Sequence, residues 1–165
     1  MTQLLIIVCG NQDRGDDGAA LLVAERLRAL GMEVVTESGN ALDLIHAWMG
    51  ADEVILVDTV VSGAPPGTLH IWDSQRSLSF HYSCPASSHG LGVAEAIELA
   101  RALRCLPRRL RVFGIEACEF GFGFQVAPEL MPAVDRAVAK IRAIFKGARQ
   151  KSHVSGETRS VCSSY

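Results

Sequence analysis

The chain has 165 residues, 48% hydrophobic and 21% charged, a length and balance that suit one packed domain and exclude disorder or a collagen-like repeat over most of it. Five irregularly spaced cysteines exclude a disulfide scaffold and point to a thiol-reducing compartment; no apolar run reaches the roughly 18 residues of a membrane span. The net charge of −2 divides unevenly: residues 146–165 carry four basic groups and one acidic, leaving twelve basic against seventeen acidic in 1–145, an acidic body that argues against nucleic acid.

Leu4 to Cys9 is a continuous aliphatic run, expected of a central parallel strand buried on both faces, and it stops at Gly10-Asn11. It has neither a basic leader nor a cleavage-site pattern, so a cytoplasmic protein is expected. From Ala19, apolar residues recur at Leu22, Val23, Leu27 and Leu30, with Asp16 and Asp17 as caps and Gly31 as terminator, which predicts a helix. Met32 to Glu37 reads as a short strand. Ala41, Leu44, Ile45, Trp48 and Met49 form a second helical stripe closed by Gly50. Glu53 to Asp58 is the third strand.

Between Val60 and Trp72, the turn at residues 62–67 separates two extended runs, so the fourth strand is expected to return antiparallel at the sheet edge. Val93, Ala96, Ile97, Ala100 and Leu103 line one face of a third helix. Arg101, Arg104, Arg108, Arg109 and Arg111 read as a solvated helix end running into the last strand, Leu110 to Ile115. Val134, Val138, Ile141 and Phe145 give the closing helix, with Pro132 in its first turn. Residues 1–146 form one domain on this reading, and 147–165 a disordered polar tail.

This order predicts a three-layer α/β/α sandwich around a mostly parallel five-stranded sheet with one antiparallel edge strand. Ligands in such sheets gather beyond the carboxyl ends of the strands, where strand order reverses, so function is sought after Cys9 and near Asp58.

The loop after the first strand, Gly10-Asn11-Gln12-Asp13-Arg14-Gly15-Asp16-Asp17-Gly18, has the shape of a phosphate loop. Its three carboxylates and lack of lysine repel an anion, which disfavours a nucleotide enzyme. An EF-hand fails because a loop begun at Asp13 puts Ala24 where the twelfth-position Glu belongs. Asp58 closes the third strand, and His89 lies where an irregular segment enters its helix. With one acid of the Asp16-Asp17 pair they make a donor set of two carboxylates and one imidazole that leaves coordination positions open. The plain alternatives are a helix cap for Asp16 or Asp17, a solvated strand end for Asp58 and a capping role for His89. His46, His70, His81 and His153 have no partner at recognisable spacing and read as structural. Ser87 and Ser88 do not form a Gly-x-Ser-x-Gly elbow, and Cys9, Cys84, Cys105, Cys118 and Cys162 contain no Cys-x-x-Cys pair, so covalent serine or cysteine catalysis lacks support. Phe120-Gly121-Phe122-Gly123-Phe124 is an apolar loop suited to gripping a peptide or to packing beneath the cleft.

Over residues 4 to 145 the chain resembles the hydrogenase maturation protease family. The resemblance rests on Gly10-Asn11 followed by Asp16-Asp17-Gly18, Val57-Asp58 with Pro66-Gly67-Thr68, Ser88-His89 with Gly90-Leu91-Gly92, and Ala127-Pro128-Glu129. It implies an endopeptidase that trims the C-terminal extension from the large subunit of a nickel-iron hydrogenase, with Asp17, Asp58 and His89 contacting the nickel and acting in catalysis. It further implies that the precursor supplies the nickel and that no cofactor is permanently bound. The precursor is the expected partner, the protein is expected to act as a monomer, and neither nucleic acid nor membrane is expected. A non-catalytic nickel-sensing chaperone for the same precursor would use the same ligands. The chain departs from the family pattern where Gly-x-Gly-Asn becomes Val8-Cys9-Gly10-Asn11, where Ala20 replaces a glycine, and where Glu37-Ser38-Gly39-Asn40 stands for Asp-Gly-Gly-Thr.

Overall fold

In the computed structural model the described residues are 4–10, 18–76, 92–117 and 126–157, the side chains of 149–157 excepted. Strand β1 (Leu4–Cys9) is followed by helix α1 (Gly18–Ala29), β2 (Val35–Glu37), α2 (Ala41–Trp48), β3 (Glu53–Val60), β4 (Leu69–Asp73), α3 (Val93–Ala102) and β5 (Arg109–Glu116). A short 3₁₀ turn (Pro128–Leu130) then leads into α4 (Met131–Glu157). The sheet order is β2-β1-β3-β5-β4, parallel except for the antiparallel β4–β5 pair at the edge.

Alternate side chains of the sheet feed two apolar clusters. Ile6, Val8, Ile55, Val57, Phe113 and Ile115 pack with α1 and α4, and Ile7, Cys9, Val54, Leu56, Leu110 and Val112 pack with α2 and α3. This two-sided burial is why β1 and β3 read as unbroken aliphatic runs. Truncating a residue such as Leu56, fully buried, is expected to cost about 2–5 kcal/mol. The helix ends follow local chemistry: Asn40 accepts from the Leu42 N–H at 2.9 Å to cap α2, and Gly31 (φ +77°) and Gly50 (φ +84°) adopt the left-handed conformation that releases the chain after α1 and α2.

Two expectations are corrected. The third strand does not stop at Asp58: Thr59 and Val60 stay in the ladder opposite Ile115 and Glu116, because their β-branched side chains suit a strand and one carboxylate does not break it. The closing helix runs on to Glu157, into the stretch predicted to be a disordered tail. Ala148, Arg149, Gln150 and Lys151 are good helix formers, so propensity continues the helix where apolar periodicity has ended.

The arginines flanking the last strand also have definite partners. Arg109 forks onto Asp73 through Nε and Nη2, the latter at 2.6 Å. Arg111, only 8% exposed, bridges Glu53 at 3.0 Å and Asp73 at 3.5 Å. Arg108 reaches Glu53, and Arg101 pairs with Glu98 along α3. Burial alone pushes the Asp73 carboxyl up, but the hydrogen bonds and charge of Arg109, aided by Arg111, bring it below its ordinary value. These pairs tie β3, β4 and β5 together at the amino end of the sheet, away from where a ligand is expected.

Candidate active site

The chain leaves β1 through α1 to β2 on one side, then crosses through α2 to β3 on the other, so strand order reverses between β1 and β3. In sheets of this kind ligands bind beyond the carboxyl ends of the strands at such a reversal. Val8 pairs with Val57, which makes Cys9 and Asp58 the next neighbours in register. Strand alternation turns both toward the α2/α3 face, where Cys9 and Leu56 already pack. On the other flank, Cys9 pairs with Glu37 of β2. Burial chiefly, then the charges of Asp58 and Glu37, push the Cys9 thiol well above its ordinary value. The thiol is therefore neutral, 2% exposed, and lies between two carboxylates.

Asp58 is half-buried, and its Oδ1 accepts the Thr59 N–H at 2.8 Å. Such a carboxylate can bind a cation or accept a proton. Asp17 and His89, the other members of the expected donor set, and Asp16 lie outside the described residues, as do Ser87, Ser88 and residues 120–124. The elements that follow them are described. α1 starts at Gly18, and because it connects the end of β1 to the start of β2, its first residue stands at the carboxyl end of the sheet. By the same rule α3, which leads into parallel β5, begins at that end with Gly92, whose N–H donates to Glu95 Oε2 at 2.8 Å. Among the described residues no group of three or more His, Cys, Asp or Glu side chains is disposed to hold a metal ion. No described helix is long and apolar enough to cross a membrane.

A buried carboxylate that the sequence reading missed organises the same end of the sheet. Glu116, at the end of β5, is fully buried. It accepts from the Ser62 N–H at 2.6 Å, the Ser62 hydroxyl at 2.8 Å and the Gly63 N–H at 3.0 Å, and meets His70 Nε2 at 2.9 Å. Burial raises its pKa, but the hydrogen bonds from Ser62, His70 and Gly63 outweigh that and hold it below the ordinary value. Glu116 and Ser62 are 54 residues apart, and His70 is the lone edge-strand histidine read above as partnerless. The available signal was the antiparallel return itself, which puts His70 opposite Gly114, two residues from Glu116.

The turn clamped by Glu116 also explains two of the motifs. Gly67 has φ +76°, and a Cβ there would lie 2.3 Å from the Glu129 carbonyl oxygen. Its carbonyl accepts from Arg136 Nη2 at 2.7 Å. Pro66-Gly67-Thr68 and Ala127-Pro128-Glu129 are therefore the two sides of one backbone contact. The Glu37-Ser38-Gly39-Asn40 stretch keeps the turn logic of the motif it replaces, with Gly39 at φ +89° and Asn40 as cap.

The family model described as hydrogenase maturation protease matches residues 23–144. Over 159 residues, 90% of this chain and 72% of the relative, the sequence is 23% identical to the hydrogenase expression/formation protein HupD of Thiocapsa roseopersicina. Among solved structures, an endopeptidase from Escherichia coli superposes with a TM-score of 0.76 at 18% identity, covering 88% of this chain and 93% of the other. The hydrogenase maturation protease HybD from Thermococcus kodakarensis gives 0.67 at 22% identity, covering 86% and 98%. At these identities the structural likeness shows a shared fold.

Proposed function

The chain belongs to the hydrogenase maturation protease family and is a peptidase, and on that premise we propose that it removes the C-terminal peptide from the nickel-loaded large-subunit precursor of a nickel-iron hydrogenase. The precursor brings the nickel, and Asp17, Asp58 and His89 add ligands to it. The observation that carries this reading is Asp58 at the strand-order reversal, with the helices that follow Asp17 and His89 both beginning at the same end of the sheet.

Two carboxylates and one imidazole are a sparse set for holding nickel against competing ligands, but enough to recognise an ion that substrate groups already hold. An unloaded precursor lacks the central charge and is left uncut. With the loaded precursor docked, its ion would polarise the scissile carbonyl or a water beside it; a carboxylate of the set accepts the proton that the attacking water gives up and returns it to the amine that leaves as the C–N bond breaks.

Purified protein incubated with nickel-loaded precursor is expected to shorten the large subunit, read as its mass. Asp17→Asn, Asp58→Asn and His89→Ala are each expected to abolish processing with the fold intact. Asp16→Asn is expected to keep processing, since asparagine serves as well as aspartate at a helix start. Equal processing by all four variants would end the assignment, and a stable complex without mass change would identify a non-catalytic nickel-sensing module instead.

A further inference from the structure

β4 is the outer strand of the sheet, and its ladder shows which of its backbone groups are turned away from β5. The Glu116 N–H donates to the Thr68 carbonyl and the Ser74 N–H to the Leu110 carbonyl, both at 2.9 Å. In an antiparallel pair, inward and outward groups alternate residue by residue. Positions 68 and 74 face inward, so with the register Leu69↔Ile115, Ile71↔Phe113 and Asp73↔Arg111, the N–H and C=O groups of residues 69, 71 and 73 point outward. Among the described residues no strand pairs with that edge.

The same residues line two cavities, of about 590 and 430 Å³, that share Ile71 and Lys140 and so form one groove between β4 and α4. Its floor is apolar, with Ile71 45% exposed. Its rim is cationic: Arg136 and Lys140 stand one helical turn apart on α4, and Arg76 follows β4. Among the described residues none of these three has a carboxylate partner. Asp73, the one acid among the described residues lining either cavity, is taken by Arg109 and Arg111. This concentration of positive charge on a chain of net charge −2 favours an acidic occupant. Five strand residues at about 3.3 Å each give roughly 16 Å, enough for four or five residues of extended peptide. Leu69 begins β4 beside Ile115 near the end of β5, so the groove opens at Pro66-Gly67-Thr68 toward the carboxyl end of the sheet.

We propose that this groove binds an extended, acid-bearing segment of the hydrogenase precursor by strand addition to β4, its carboxylates meeting Arg76, Arg136 and Lys140, so that the adjoining peptide is delivered to the carboxyl end of the sheet. The inference rests on the proposed precursor-processing function and adds where the precursor is gripped.

The test uses the full chain and nickel-loaded precursor, with processing followed by mass at varied precursor concentration. The double variant Arg76→Glu/Lys140→Glu is expected to raise KM about tenfold or more with kcat kept. Ile71→Pro deletes an outward N–H and no β4–β5 bond; it is expected to raise KM while Ile71→Ala does so less, with Tm of all variants near that of the parent. Unchanged KM in the double variant would reduce these cations to guards against edge pairing, and unchanged KM in Ile71→Pro would remove strand addition; either overturns the proposal. So would a dimer of the parent that Ile71→Pro dissociates, which would give the edge to a second copy, or a marked Tm loss in Ile71→Pro, which would give it to another segment of the same chain. Failure of the parent to shorten the precursor would instead sink the underlying function, and Asp58→Asn, expected to lose kcat rather than KM, separates the two.

Discussion

Replacing Glu116 by Gln tests whether the charge, and not only the shape, of this buried side chain holds the turn beside the candidate site. The carboxylate receives Ser62 N–H, Ser62 hydroxyl, Gly63 N–H and His70 Nε2, all within 3.0 Å. Glutamine can keep its oxygen toward the two backbone donors, and its amide then faces a hydroxyl and an imidazole that can turn or change tautomer to accept. What is lost is charge assistance. A hydrogen bond to a charged group nets about 1.5–3 kcal/mol against about 1 for a neutral one, so Glu116→Gln is expected to cost about 2–3 kcal/mol. Glu116→Ala leaves two buried N–H groups unserved at about 1–3 kcal/mol each, and is expected to cost more than the glutamine variant.

The pH dependence follows from the sign of the shift. Glu116 has a folded pKa below its ordinary value of 4.5, so its stabilisation is complete above that value and disappears as pH falls through the lowered folded pKa. Urea unfolding followed by circular dichroism at pH 7 and near pH 3 should therefore show the parent–glutamine gap narrowing on acidification. A gap that stays constant with pH, or a glutamine variant as stable as the parent at pH 7, would refute this account.

Gly67→Ala meets both a positive φ and the Glu129 carbonyl, whereas Gly31→Ala meets the positive φ with nothing within 4 Å. The first is expected to cost several kcal/mol and the second about 1–2 in denaturant midpoints, and equal losses would show that the backbone contact between the two motifs is unimportant. Cys9, buried and neutral, is expected to resist iodoacetamide at pH 8 while the partly exposed Cys105 reacts, as mapped by mass spectrometry. Asp58→Asn should leave that protection in place, since burial leads the Cys9 shift; labelling of Cys9 at the rate of Cys105 would place the thiol at the surface instead.

The sheet was legible because its signals are local and redundant. Leu4 to Cys9 and Val54 to Val57 are aliphatic without interruption, which only a strand covered on both faces requires, and glycines follow the helical stripes where α1 and α2 end. The antiparallel return of β4 was legible from the turn that precedes it. The exact end of β3 was not, because Asp58 is polar in sequence but stands inside the ladder opposite Gly114. The Glu116 cluster was hidden for a different reason: its members come from a turn, an edge strand and the last strand, and no spacing rule relates residues 62, 70 and 116 before the register is known. Asp58 stands out in the sequence as a carboxylate directly after a buried run, whereas Glu37 closes a strand too short to show a pattern.

The placement of charge links these elements to the proposed activity. Glu37 and Asp58 flank a neutral thiol at the strand-order reversal, so this end of the sheet disfavours a bare carboxylate and favours a cation. The groove along β4 has the opposite preference. On the proposed reading an acid-bearing peptide is drawn to the edge strand and repelled from the carboxyl ends of β1 and β3, unless the molecule that carries it also presents a positive ion there. On the proposed reading this division makes docking insensitive to the metal and cleavage dependent on it: the groove grips loaded and unloaded precursors alike, and only the loaded one satisfies the carboxylates at the other end of its reach.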